Sequence, residues 1–407
     1  MILRREVTVQ RTARFVQVCG KFDLPTDKTS LREWEVDLKL PADWQVMVIV
    51  GPSMSGKSTI ANELFPGELV DSSGGEYWPW PKDKCIADGF PAGMSIDEIC
   101  GLLSSVGFSS PPDWKKPYAA LSNGGKFRVD LARTLAERTG LGTPNNRAVI
   151  DEFGSLVHAQ ARLVAASAAA KAVRRRKGPD GKPSQLVALL VHEDAVPYFE
   201  PDVVIRVEPG QKVTADVTRG LLQRPNVELE IVRCDKTAWR VFKPHHYLDG
   251  EIHPAARCFV GLVGGEPAAF TAVISFPHPV KPSWREHRTV CLPDFQGIGI
   301  GNRMSEYVAS LFKALGKPYT STTSHPAMIR HRAKSPLWRM TRRPGLVNIH
   351  GSGNCNTIVR AGAAKTGMAA KTSRFRITAG FEYIGPARAE EASGFGLAPP
   401  VAGRRRR

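Results

Sequence analysis

Gly51-Pro52-Ser53-Met54-Ser55-Gly56-Lys57-Ser58 sets two glycines, a lysine and a serine at the spacing G-x-x-x-x-G-K-[ST], after the apolar run Val46-Met47-Val48-Ile49-Val50 and before a helical pattern. In such a loop, backbone N–H groups surround phosphate oxygens, the lysine reaches the β- and γ-phosphates, and the serine hydroxyl ligates magnesium. This predicts a nucleoside-triphosphate site, ATP with Mg2+, lined by Gly51, Ser53, Ser55, Gly56, Lys57, Ser58 and Thr59. A second glycine loop, Gln296-Gly297-Ile298-Gly299-Ile300-Gly301, also opens a helix but has no dinucleotide-fold context. It predicts a different phosphate ligand, and two ligands imply two domains.

Other residues with chemical potential fall in order around the first loop. Leu121-Ser122-Asn123-Gly124-Gly125-Lys126 precedes a helical stretch, the strand-like Ala148-Val149-Ile150 runs into Asp151-Glu152, and Val187 to Val191 runs into His192. This ordered set resembles the ABC-type ATPases over about residues 1–222. The resemblance implies that Asp151 holds the magnesium shell, Glu152 polarises the attacking water and His192 senses the γ-phosphate. A carboxylate beside a metal can accept a proton, and an imidazole at a strand tip can bond a phosphoryl oxygen. It further implies that Ser122, Gly124 and Gly125 complete the site of a second copy, giving an ATP-dependent head-to-tail homodimer. Three departures stand out. No glutamine lies between Ile60 and Leu121, so the usual glutamine loop is absent or replaced, with Asp88 the candidate, and His158 stands where an aspartate is expected. The short interval from Lys57 to Ser122 implies a reduced helical subdomain, the part on which transporters dock membrane partners, so transport is not expected.

The second loop follows strand patterns at Cys258–Val263, Ala268–Ile274 and Arg288–Leu292, with Gly264-Gly265 reading as a hairpin turn. A helix over Met304–Leu315 and a strand over Pro318–Ser321 are predicted after it. The order resembles motif A of the GNAT acyltransferases, whose Q/R-x-x-G-x-G/A loop is matched by Gln296, Gly299 and Gly301. The resemblance implies acetyl-CoA or another acyl-CoA, its pyrophosphate lying on Gln296, Gly297, Gly299, Ile300 and Gly301, where glycines leave room for close approach. His245, His246 and Tyr247 offer a base near neutral pH and an acid, with His246 and Tyr247 the catalytic candidates. His325 is a second candidate, and two histidines with Asp294 could instead hold a metal. The His-Tyr element is also similar to phage Mom DNA-modification proteins. As a whole, the chain resembles fusions of an ABC-type ATPase to a predicted acetyltransferase.

The elements that must carry these residues fit 407 residues, enough for two to three domains. The fold class expected is α/β, a P-loop ABC-type domain (1–222) followed by an α+β GNAT-like domain (223–386) and a basic, disordered tail (387–407). Alternation at Val7–Gln10, Phe15–Val18 and Trp34–Leu38 predicts a small antiparallel sheet before the first loop. Arg174–Lys182 reads as a solvated basic loop, and Ser373–Thr378 with Phe381–Ile384 as a hairpin. No apolar stretch reaches membrane-spanning length, so a soluble, cytoplasmic protein without a membrane partner is expected. Seven dispersed cysteines give neither a disulfide framework nor a C-x-x-C zinc motif. The net charge of +17 is lopsided: residues 1–222 carry 28 Lys+Arg against 27 Asp+Glu, and residues 223–407 carry 28 against 12. Such a field suggests nucleic acid, DNA or RNA, as partner. Two other readings remain open: a nucleic-acid-binding ATPase whose second domain only binds, and acylation of a protein or small amine.

Overall fold

The computed structural model describes residues 2–26, 29–71, 77–139, 145–178, 181–208, 212–247, 250–346 and 377–397. The chain is mixed α/β and divides into two compact units interleaved in sequence. One comprises Met1–Lys82, Gly89–Pro91 and Leu121–Pro225, the other Asp83–Asp88, Ala92–Ala120 and Asn226–Arg407.

The first unit is built on β1 (Ile2–Thr8), β2 (Thr29–Asp37), β3 (Val46–Val50), β4 (Leu69–Asp71), β5 (Arg147–Asp151), β6 (Gln185–Leu190), β7 (Val203–Val207) and β8 (Lys212–Val217), in the order β1-β2-β8-β7-β3-β6-β5-β4. All five residues of β3 are buried, which is why the sequence there is continuously apolar rather than alternating. β3, β6 and β5 are parallel neighbours, so Val50, Leu190 and Asp151 finish their strands side by side at one edge, roughly 4.8 Å per step. That edge carries the candidate nucleotide residues.

Two expectations fail in this unit. Phe15–Val18 is not a strand but part of the helix Ala13–Phe22, begun by Thr12, whose hydroxyl accepts the Phe15 N–H at 3.2 Å, and ended by left-handed Asp23. Phe15, Cys19 and Phe22 also satisfy helical spacing, and the Thr12 cap decides between the periods. β1 pairs directly with β2. The Arg174–Lys182 stretch is not simply solvated, since Arg174 donates to Asp202 and Arg176 to the Thr139 carbonyl at 2.7 Å.

The second unit has a sheet of β9 (Glu230–Cys234), β10 (Arg257–Val263), β11 (Glu266–Phe276), β12 (Ser283–Cys291), β13 (Tyr319–Thr323), β14 (Trp338–Leu346) and β15 (Ile377–Tyr383), ordered β14-β15-β13-β12-β11-β10-β9. Gly264 and Gly265, both at positive φ, turn β10 into β11 as expected. The helix Ile300–Lys313 buries Met304, Val308 and Phe312 in the core of this unit. β14 and β13 both pair with β15, so Phe381–Tyr383 and the end of the Ser373–Thr378 run belong to one strand; residues 373–376 lie outside the described ones. The expected disordered tail is ordered at its start, with a helix over Ala389–Gly394 and buried Ala392 and Leu397. Residues 398–407, with Arg404–Arg407, lie outside the described ones.

β12 and β13, the parallel pair, are bonded only at Trp284↔Tyr319 and Arg285↔Thr320. Just beyond, a buried polar knot links the two strands. Glu286 on β12 accepts from Arg332 at 2.8 and 3.1 Å, from Thr289 at 2.6 Å, from Ser305 at 2.7 Å and from Ser321 on β13. Burial opposes ionisation of Glu286, but Arg332 and the three hydroxyls outweigh it and hold the carboxyl below its usual range. Arg332 also stacks on Trp338, 4.1 Å from the ring centroid. Arg332→Met leaves the buried carboxylate without its counter-ion and is expected to cost about 3–5 kcal/mol in urea unfolding. The double variant Glu286→Leu/Arg332→Met should be more stable than the single one.

Candidate functional site

In the first unit, β3 delivers the chain into a loop whose conformation needs its glycines. Gly56 has φ 103 and N-caps the helix Lys57–Leu64 without any side-chain cap, so the first-turn N–H groups have no intrahelical partner. A Cβ at Gly56 would stand 2.4 Å from the Trp34 ring, and one at Gly51 would stand 2.3 Å from the Val207 carbonyl oxygen. Trp34, buried in β2, donates from Nε1 to the Ser55 carbonyl at 2.8 Å and forms the floor of the loop. The alternating pattern at Trp34–Leu38 marks it only as a strand residue.

Lys57 folds back to donate to the carbonyls of Gly51 (3.0 Å) and Pro52 (2.8 Å). Burial lowers its pKa, while the carboxylates of Glu152 and Asp151 raise it, so the lysine and both carboxylates share one electrostatic environment. Ser55 Oγ is buried with no hydrogen-bond partner among the described residues, a hydroxyl that a phosphate oxygen would satisfy. Ser58 and Thr59 lie in the first helical turn, and Arg5 donates to Thr59 Oγ1 at 3.0 Å. Ser53 is exposed at the loop tip.

Asp151 ends β5, buried, and accepts the Glu152 N–H at 2.9 Å. Glu152 is left-handed, φ 50, an unfavourable geometry for a residue with a side chain and of the kind that clusters at functional sites. His192 follows β6 and is exposed. β6 lies between β3 and β5, so the topology brings Gly51, His192, Asp151 and Glu152 to one edge of the sheet. Ser122 is exposed and caps the helix Asn123–Arg138, its hydroxyl accepting the Gly125 N–H at 3.2 Å, with Gly124 and Gly125 in the first turn. His158 caps the helix Ala159–Arg174 by position only. Asp88 accepts from Cys85 Sγ at 3.1 Å, within the second unit.

The second glycine loop repeats the cap geometry of the first. Gly299 has φ 99 and N-caps Ile300–Lys313 with no side-chain cap, Gly297 has φ 95, and a Cβ at Gly299 would meet open space. Left-handed backbone therefore requires glycine there, and the helix start is clear for a ligand. Gly301 sits against the Cys291 Cβ, at 3.4 Å for an added methyl. Gln296 departs from expectation. Its side chain is buried, donating to the Cys291 carbonyl at 2.8 Å and accepting the Ser109 N–H at 2.6 Å, so it supports the loop instead of reaching outward.

His246 stacks on Tyr247 (centroids 4.7 Å) and meets Trp239 edge-on at 5.6 Å. His245 is held below its usual pKa chiefly by burial. His325 is committed to the fold: its Nε2 bonds the Ser109 carbonyl at 2.8 Å, which makes Nε2 the protonated nitrogen. The metal alternative finds no support, because no group of three or more His, Cys, Asp or Glu that could hold a metal ion occurs among the described residues.

A histidine missed in the sequence is better placed. The β11–β12 register jumps from Ala272↔Arg288 to Val273↔Glu286, leaving His287 as a bulged residue, a device that re-aims a side chain. Its Nε2 accepts the His253 N–H at 3.2 Å, so Nε2 is unprotonated. Burial first, then Arg288, His253, Arg285 and His246, push its pKa down to about 4. His287 and His246 are thus electrostatic neighbours, and His287 is uncharged near pH 7. A bulge leaves no periodic signal, which is why the pattern overlooked it.

No protein-family model matches the chain, and no curated protein matches it. Among solved structures, it is similar to the ATP-binding cassette MJ0796 in a dimeric post-hydrolysis state bound to ADP and Pi, at 14% identity, covering 54% of this chain and 100% of that one, with TM-score 0.34. It is also similar to the ribosomal-protein-S18-alanine N-acetyltransferase from Escherichia coli, at 13% identity over 38% of this chain and 93% of that one, TM-score 0.27. A Bacillus subtilis acetyltransferase in complex with CoA matches at 12% identity over 39% and 98%, TM-score 0.26. Among the described residues, no helix is long and apolar enough to cross a membrane.

The low pKa of His287 has a consequence for stability. The unfolded chain takes up a proton near pH 6.5 that the folded chain refuses until about pH 4, so this contribution is complete above pH 6.5 and is lost as the pH falls through that window. Thermal melts of the wild type should therefore decline from pH 6.5 to pH 4, and His287→Asn should flatten part of that slope.

Proposed function

We propose that this chain is an ATP-hydrolysing ABC-type ATPase joined to a GNAT-like acyltransferase, and that it acylates a nucleic acid from acyl-CoA. The observation that carries the reading is the pair of left-handed, uncapped glycine helix starts: one beside a lysine and two strand-end carboxylates, the other directly after a bulged strand bearing a neutral histidine.

At the first site, Lys57 exchanges the loop carbonyls for phosphate oxygens, and Ser55 and the Gly56–Ser58 N–H groups cradle the phosphates. The hard oxygens of Ser58 and Asp151 suit Mg2+, which would neutralise phosphate charge there. Glu152 accepts a proton from the attacking water as its oxygen bonds to the γ-phosphorus and the bridging bond to ADP breaks; His192 bonds a γ-oxygen. Ser122, Gly124 and Gly125, exposed, half-buried and buried in turn at a helix start, would complete the site of a second copy, so turnover requires a homodimer.

At the second site, the acyl-CoA pyrophosphate rests on the N–H groups of Gly297, Gly299, Ile300 and Gly301. An acceptor amine attacks the thioester carbonyl, the C–N bond forms and the C–S bond breaks. His246 takes the amine proton, and Tyr247 returns one to the departing thiolate. Nucleic acid as acceptor is favoured by the excess of 16 positive charges after residue 222 and by exposed Arg339, Arg342 and Arg343 on the edge strand β14. The same charge suits a nucleic-acid-binding ATPase whose second unit only binds. A protein or small-amine acceptor would leave the charge without a partner.

Nucleoside mass spectrometry on DNA and RNA from cells expressing the protein tests the acceptor. The proposal expects a new acylated nucleoside that disappears with Gly299→Glu and with Lys57→Ala; its absence from both polymers sinks the nucleic-acid reading. In purified protein, Glu152→Gln should lower ATP turnover at least about 100-fold while leaving ATP binding intact.

A further inference from the structure

The segment Ala92–Ala120 lies in sequence between the phosphate loop and Ser122, yet it belongs to the second unit. It contains the helix Ile96–Ser105, started by a Ser95–Glu98 capping box, and the turn Pro111–Trp114. Between them, the peptide of Ser109 is bonded at both ends. Its N–H donates to Gln296 Oε1 at 2.6 Å, and its carbonyl accepts from His325 Nε2 at 2.8 Å. Gln296 is itself tied to the Cys291 carbonyl, at the end of β12. His325 packs against Trp114, and Ser110 Oγ donates to the His245 carbonyl at 3.4 Å. The N-terminal residue of the glycine loop is therefore held by a peptide group from a segment that sequence order assigns to the nucleotide-binding half.

Resting on the two-site reading above, we propose that Ser109 is a positioning residue for the acyl-CoA loop, and that through it nucleotide binding and acyl-CoA binding are coupled. Twelve residues lie between Ser109 and Ser122. They are largely ordered: Pro111–Trp114 is helical, Tyr118–Ala120 forms a buried-faced turn, and the Lys116 carbonyl accepts the Ile86 N–H at 3.1 Å. Ser122 and Ser109 are thus joined by a short and largely ordered stretch of chain. The response at the loop follows from the bond, because a Gln296 amide that loses the Ser109 N–H no longer fixes the peptide before Gly297. Coupling of this sort is reciprocal by thermodynamic necessity.

The test uses the full chain, acetyl-CoA and a non-hydrolysable ATP analogue with Mg2+, measured by titration calorimetry. The wild type should show the analogue changing the Kd for acetyl-CoA at least about fivefold, and acetyl-CoA changing the Kd for the analogue by the same factor. Ser109→Ala keeps the peptide bonds and should keep the factor. Gln296→Leu, which removes the acceptor, and Ser109→Pro, which removes the donor, should bring the factor to about one while the analogue alone binds as in the wild type. If both ligands bind the wild type and neither affects the other, the inference fails and the two-site reading stands. Coupling retained in Gln296→Leu also overturns it, and a ligand that does not bind at all removes the reading on which it rests.

Discussion

The structure depends on a backbone constraint met twice: a glycine held near φ 100 at the start of a helix, with no side chain to satisfy the first-turn N–H groups. Elsewhere in the chain Thr12, Ser95 and Ser122 supply such caps from their own hydroxyls. At Gly56 and Gly299 no side chain does so, and the surroundings are arranged to hold the left-handed glycine. Trp34 and the Val207 carbonyl leave no room for a side chain beneath the first loop, and Gln296 braces the second from within.

Around these two starts, polar groups have been buried in matched sets. Glu286 and Arg332 neutralise each other where β12 and β13 part, with three hydroxyls filling the remaining valences. One residue further along β12, the bulge at His287 turns an imidazole out of the ladder and keeps it uncharged. Asp151 and Glu152 play the corresponding part in the first unit, where a left-handed Glu152 is over-determined by the bond its N–H makes back to Asp151. The strain and buried charge thus concentrate beside the candidate phosphate sites.

The two glycine helix starts and the Ser122 cap are legible in the sequence because each depends on residue types at fixed local spacing. Continuous apolarity marked β3, and Gly264-Gly265 marked the hairpin. What escaped depends on long-range contact. Phe15–Val18 fits both periods over four residues, and only the Thr12 cap selects the helix. Gln296 and His325 look like ligand or catalytic groups because nothing in the sequence shows that Ser109, 187 and 216 positions away, takes up both. His287 was invisible because a one-residue bulge has no pattern, and Trp34 because a strand tryptophan gives no hint of what it supports.

The central claim is that two distinct phosphate-binding sites operate on one chain, and binding of ATP and of CoA to separately altered proteins tests it most directly. The account predicts that Lys57→Ala loses ATP but binds CoA, whereas Gly299→Glu loses CoA but binds ATP. CoA itself carries an adenine nucleotide and could in principle occupy the first loop. If Lys57→Ala abolished both ligands and Gly299→Glu neither, CoA would be a ligand of the first loop, and the two-site account would be wrong.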